Sequence, residues 1–420
     1  MFRRRGDKGT DSHSEPIGRA GMLYLFGIAS VTGGLAIGTL DAAGICTNAG
    51  GVTKGAIYTS TYLTLVMVAA AFTVPQTAKI SARFGIERTY RLVVTLGSTT
   101  WVICGALILA GVPGFAVLLC FAPIFGFTGG LSGVLAPIFS KAYIAGKDMA
   151  GAYARMSVIS GIAWAIGSAL GGIILNDSHP GFGIVLKGIF GIPFIVVLLR
   201  VRPAAKPKTP KAKKRAFPEM RERLSNNDEL RRATMLRCGI ALFAAPMASL
   251  IVPIVDALRQ TPLLPGAGVI VAAMAFGQLS SPWLVERLSR DNRPQIAAAS
   301  IAALAAAAVL VAYGVVSALI SKRPELLAWC FIGLSFGGLR YAARALNIGA
   351  VSASGPEEDT TNLLQASQFV STLASPVGVM MWGFLINRVS VEAAIFVGAA
   401  GMALVALASL RRASRPAVAA

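Results

Sequence analysis

The sequence predicts an all-α integral membrane protein whose twelve transmembrane helices form two pseudo-symmetric six-helix bundles. Three observations carry that prediction. Of 420 residues, 55% are hydrophobic and only 14% charged, giving a mean hydropathy of +0.66, more apolar surface than a soluble chain can hide from water. Apolar segments of about 20 residues, each able to cross roughly 30 Å of hydrocarbon, recur with little interruption from Met22 to Leu410. One pattern, an apolar span, a short basic elbow and another apolar span, occurs twice, about 200 residues apart. Internal repeats in a many-span chain mark secondary transporters, whose two bundles rock about a site near the midplane.

Taken in order, residues 1–19 form a basic tail with Arg3, Arg4, Arg5, Lys8 and Arg19. The first bundle, 20–201, holds spans at 20–44, 55–79, 91–111, 114–140, 151–175 and 182–201. The first apolar segment is too long for a cleaved secretory signal, so it is expected to remain as a span. A basic linker, 202–235, begins with proline and lysine and ends in a segment that reads either as an amphipathic surface helix or as a solvated tether. The second bundle, 236–410, holds spans at 236–258, 266–287, 294–319, 326–348, 362–386 and 389–410, followed by a tail, 411–420.

The net charge of +20 would suit a nucleic-acid partner if it were clustered, but the basic residues fall in alternate loops. That distribution is the topology signal of the positive-inside rule and places both termini in the cytoplasm, in a plasma membrane. Nucleic-acid binding is therefore not expected. The five cysteines, Cys46, Cys104, Cys120, Cys238 and Cys330, lie in or beside spans without metal-ligand spacing. They read as packing residues, and no metal, cofactor or enzymatic chemistry is expected.

Many of the 45 glycines stand at small-xxx-small spacing inside spans, including Gly126, Gly129 and Gly130, and Gly161, Gly167, Gly171 and Gly172. Such spacing lets helix backbones approach closely. Pro123, Pro137, Pro246, Pro253 and Pro376 lie inside spans and are expected to bend them.

The two elbows are Ser81-Ala82-Arg83-Phe84-Gly85-Ile86-Glu87-Arg88 and Glu286-Arg287-Leu288-Ser289-Arg290-Asp291. With the overall span pattern they resemble the major facilitator superfamily over essentially the whole chain, and more narrowly its drug:proton antiporter branch. The resemblance implies the major facilitator fold and a conformational latch at the elbows, here Arg83, Gly85 and Arg88, then Glu286, Arg287 and Arg290. Ala82 stands where the family has an aspartate. Gly167-Ser168-Ala169-Leu170-Gly171-Gly172 is similar to the antiporter signature, with Ser168 in place of proline. Leu40-Asp41 resembles the branch's Leu-Asp pair, whereas Ala122 and Phe125 replace the family's arginine and glutamine in the fourth span.

Asp41 is the expected proton-coupling residue. A carboxylate inside an apolar span is costly unless it titrates, pairs or meets a cavity, and the competing reading is a hydrated or helix-capping role. Expected substrate contacts are Arg340 and Arg344, one turn apart on one face, together with Tyr58, Tyr62, Gln278, Gln365, Gln368 and Trp164. Pairing of the arginines with the acidic run Glu357-Glu358-Asp359 is the alternative, as is helix stitching for the glutamines. The sequence thus predicts a monomeric, proton-coupled exporter of a small organic or amphipathic compound, in contact with membrane lipids. The alternatives are an uptake or lipid-moving facilitator for an anionic substrate, and a transport-inactive scaffold or sensor.

Overall fold

The computed structural model describes residues 18–144, 149–203, 222, 224–258, 263–289, 294–319, 325–354 and 360–411. These residues form a bundle of long helices. We number them α1 (Arg19–Gly51), α2 (Lys54–Gln76), α3 (Ile86–Leu109), α4 (Gly114–Ile144), α5 (Met149–Asn176) and α6 (Phe182–Arg200) in the first half. The second half contains α7 (Asp228–Ser249 and Ile251–Ala257), α8 (Pro265–Ser289), α9 (Gln295–Leu319), α10 (Glu325–Ala353), α11 (Thr360–Arg388) and α12 (Val391–Arg411).

Ten of these helices are long and apolar enough to cross a membrane, or eleven if the pair bent by 57° that makes up α7 counts as one span. The expected count of twelve is met only if α10 is included. α10 has 29 residues, about 44 Å at helical rise, but Arg340 and Arg344 lower its apolar content. The expected boundaries also shift. α1 continues past residue 44 to Gly51, because Ile45, Cys46 and Thr47 are buried, and it ends where Gly51 takes φ 59°. α3 begins at Ile86, not at 91, since Ile86, Tyr90 and Val93 bury one helical face. The first elbow is therefore a short helix, Thr77–Phe84, stopped by Gly85 at φ 81°, a conformation that glycine adopts without steric cost.

Small residues set the helix spacing. A Cβ at Gly50 would sit 2.7 Å from the Gly55 nitrogen, so the α1–α2 hairpin closes on two glycines. Gly126 and Gly130 of α4 seat on Ala69 and Ala70 of α2, and Gly171 on Ile37 of α1. Gly167 abuts the backbone of Gly33. The halves meet along two seams. In one, a Cβ at Gly268 of α8 would lie 2.9 Å from the Gly172 Cα of α5, and Ala165, Ala272 and Ala275 pack nearby. In the other, Gly383 of α11 faces Ser60 of α2, and Gln365 donates to the Val74 carbonyl at 2.8 Å.

The buried core has a corresponding division. Tyr24, Ile28, Tyr90, Phe139 and Phe194 cluster in the first half near the side that bears the termini. Ile45, Tyr62, Cys104, Leu118 and Phe125 cluster near the opposite side. There, Ile37, Leu40 and Ala43 of α1 and Leu175 of α5 join the core of the second half at Ile251, Val252 and Val255. The molecule is closed on that side by interdigitated aliphatic side chains.

Candidate functional site

A chamber of about 640 Å³ lies between the halves. Its walls come from α1 to α6 and from α7, α8 and α10, and it continues along Ile28, Tyr90 and Phe194 toward the side bearing the termini. Most of the lining is apolar or aromatic, with hydroxyls from Thr39, Thr59, Ser98, Thr128 and Ser132. Two basic side chains line it: Lys187 from the first half and Arg340 from the second. No carboxylate occurs among the described lining residues.

Lys187 reaches the chamber because α1 carries glycine where the two helices cross. A Cβ at Gly38 would lie 2.6 Å from both Cβ and Cδ of Lys187, so only glycine leaves room for the lysine stem. The ammonium ends 3.2 Å from the centre of the Trp101 ring, close enough for a cation–π contact. Trp101 lies flat on Phe125, with ring centres 3.4 Å apart and an interplanar angle of 3°. On the opposite wall, the Arg340 guanidinium stands 6.0 Å from the Tyr341 ring centre. Gly337, one turn before it, abuts the backbone of Met274 and lets α10 approach α8.

Asp41 is buried, but it is not among the chamber-lining residues. Its Oδ2 accepts hydrogen bonds from the backbone amides of Gly181 at 3.0 Å and Ile184 at 3.2 Å. The carboxylate therefore caps the start of α6, where unpaired amides and the helix dipole favour negative charge. This placement matches the capping alternative in kind, although the helix end concerned is that of α6 and not a break at Gly44.

The structure brings together three of the eight residues expected to contact substrate: Arg340, Tyr62 and Trp164 line the chamber. The other five are not among its lining residues, for identifiable reasons. Arg344 is exposed one turn beyond Arg340. Tyr58 packs on Phe115, with ring centres 4.5 Å apart. Gln278 is buried beside Gly161 in the α5–α8 seam. Gln365 bridges the halves through Val74, and Gln368 accepts from Arg237 and donates to Thr372. Of the latch residues, Arg83 and Arg88 are exposed, and Arg83 lies over Phe84. Glu87 pairs instead with Arg91 within α3, at 3.7 Å. Glu286 and Arg287 are exposed on α8, with Arg287 over Trp283, while Arg290 lies outside the described residues.

Lys187 is not among the residues expected at the site from the sequence. It is the only basic residue inside the α6 apolar run before Arg200, and an ionisable group within a span is a functional candidate by default. That signal was available.

A multi-pass helical protein with a central chamber between two joined bundles defines the class of membrane transporters. The sequence matches the Major Facilitator Superfamily family model over residues 20–378, and the chain belongs to that superfamily. Solved structures share the fold. The crystal structure of the human organic anion transporter MFSD10 (TETRAN) aligns with a TM-score of 0.65 at 13% identity, covering 93% of this chain and 99% of that one. A D-xylose–proton symporter aligns at 0.72 and 11%, covering 93% and 96%. A variant of the E. coli fucose:proton symporter FucP aligns at 0.61 and 14%, covering 94% and 98%. Among curated proteins, none matches the chain by sequence.

Proposed function

We propose that this protein is a secondary transporter that moves an organic anion with an apolar or aromatic body by alternating access. The observation that carries the reading is the pairing of Lys187 and Arg340 in one chamber whose described lining holds no carboxylate. Such a wall favours anions and repels organic cations. The aromatic lining supplies an apolar surface for the rest of the substrate. The test is uptake into proteoliposomes of paired aromatic probes, benzoate against benzylamine. Anion uptake that falls in Lys187→Gln and Arg340→Gln supports the reading, whereas equal uptake of the amine removes it.

A second reading, proton-coupled export within the drug:proton antiporter branch, is favoured by Asp41. Its carboxylate holds α6, and α6 carries Lys187. Protonation of Asp41 would weaken its grip on two amides and so alter the seat of the chamber lysine. With both termini cytoplasmic, a chamber that extends toward them would load from the cytoplasm. An imposed pH gradient tests this: substrate-coupled proton flux that disappears in Asp41→Asn supports it. Undiminished flux in that variant removes Asp41 as the proton site.

A further inference from the structure

Lys187 and Arg340 come from opposite halves of the molecule, and neither forms an ion pair with another described residue. Each stands beside an aromatic ring, Lys187 over Trp101 and Arg340 near Tyr341. A ring face offsets only part of the desolvation of a buried cation. A ligand with one anionic group satisfies one of these cations and leaves the other uncompensated in an apolar cavity. A ligand with two anionic groups satisfies both, and the aromatic surfaces of Trp101, Phe125, Trp164 and Phe336 cover the frame between its ends.

We propose that the chamber binds a single organic dianion, with one anionic group at Lys187, the other at Arg340, and an apolar frame between them. This rests on the anion reading above and specifies the charge of the substrate. A ligand held in this way bridges the two bundles. Its binding energy then bears on their relative position, which is how a substrate biases alternating states: by differential affinity for them.

The experiment is a thermal-shift titration of the full chain in lipid nanodiscs with matched mono- and dicarboxylates: benzoate with terephthalate, and heptanoate with pimelate. A ligand that binds only the folded form raises apparent stability by mass action. In the unmodified protein the dicarboxylate of at least one pair is expected to act at about tenfold lower concentration than its partner, the worth of one additional charged hydrogen bond. Lys187→Gln and Arg340→Gln should each erase that difference. Lys187→Arg and Arg340→Lys, which keep the charges, should retain it and so control for folding. Equal potency within both pairs overturns the dianion assignment while leaving the anion reading standing. Absence of stabilisation by all four probes overturns both.

Discussion

The Lys187 ammonium lies 3.2 Å from the centre of the Trp101 ring, and the stem of the same lysine crosses α1 at Gly38. The cation is thus fixed at two points along its length before any ligand arrives. A long, flexible side chain usually loses about 1.5–2 kcal/mol of rotamer entropy when it is ordered. Here that cost falls on folding and not on binding.

Replacing Trp101 tests this platform. Trp101→Ala removes the ring beneath Lys187 and half of the stack on Phe125. Stability is expected to fall by less than the roughly 3–5 kcal/mol lost when a fully buried Trp is truncated, because Trp101 is only partly buried and lines the chamber. Trp101→Phe keeps an aromatic face and should retain most of it. Thermal melting in nanodiscs separates the two variants.

Asp41 gives a different signature. Asp41→Ala leaves the Gly181 and Ile184 amides without their acceptor, and an unsatisfied buried group costs about 1–3 kcal/mol. Asp41→Asn keeps a carbonyl acceptor in the same place and should be clearly the more stable of the two. If both variants melt together, the carboxylate does not hold α6.

Gln365 spans the halves through one hydrogen bond to Val74. Gln365→Ala removes a contact worth about 1 kcal/mol, which corresponds to roughly a fivefold change in the ratio of the two access states. Distance distributions between spin labels on the two bundles should broaden toward separation at the side bearing the termini. Distances on the opposite side should shift toward closure, because the two access states exchange population.

The α5–α8 seam should be intolerant of bulk. A Cβ at Gly268 would lie 2.5 Å from the Ser168 carbonyl oxygen, so Gly268→Val forces the helices apart. Thiol labelling of single cysteines placed along the aliphatic closure should increase on the side opposite the termini. Unchanged labelling would mean that the seam does not set the closure.

Legibility in the sequence differed between fold and site. The apolar spans and the close packing at the glycines of α5 could be read because each depends on local pattern: apolar length and the spacing of small residues. The chamber lining was read only in part. Tyr62, Trp164 and Arg340 were identified, but Gln365 and Gln368 have similar polarity and face other helices. Rotational phase in a uniformly apolar helix leaves no periodic signal, since lipid and neighbouring helices are matched by the same residues. Lys187 escaped for a further reason. The family resemblance directs attention to an arginine in the fourth span, where this chain has the fully buried Ala122. The cation facing that wall is supplied from α6.

α7 carries a π-helical turn at Ile240–Ala244, a proline at 246 and the 57° bend, whereas α1 rests backbone to backbone against α5 at Gly33 and Gly167. Compliance therefore differs between these two helices: α1 is held rigidly by a backbone contact, and α7 contains a built-in flexure. An antibody fragment that splints the far end of α7 should stall turnover without weakening anion affinity, and the same grip on α1 should change neither.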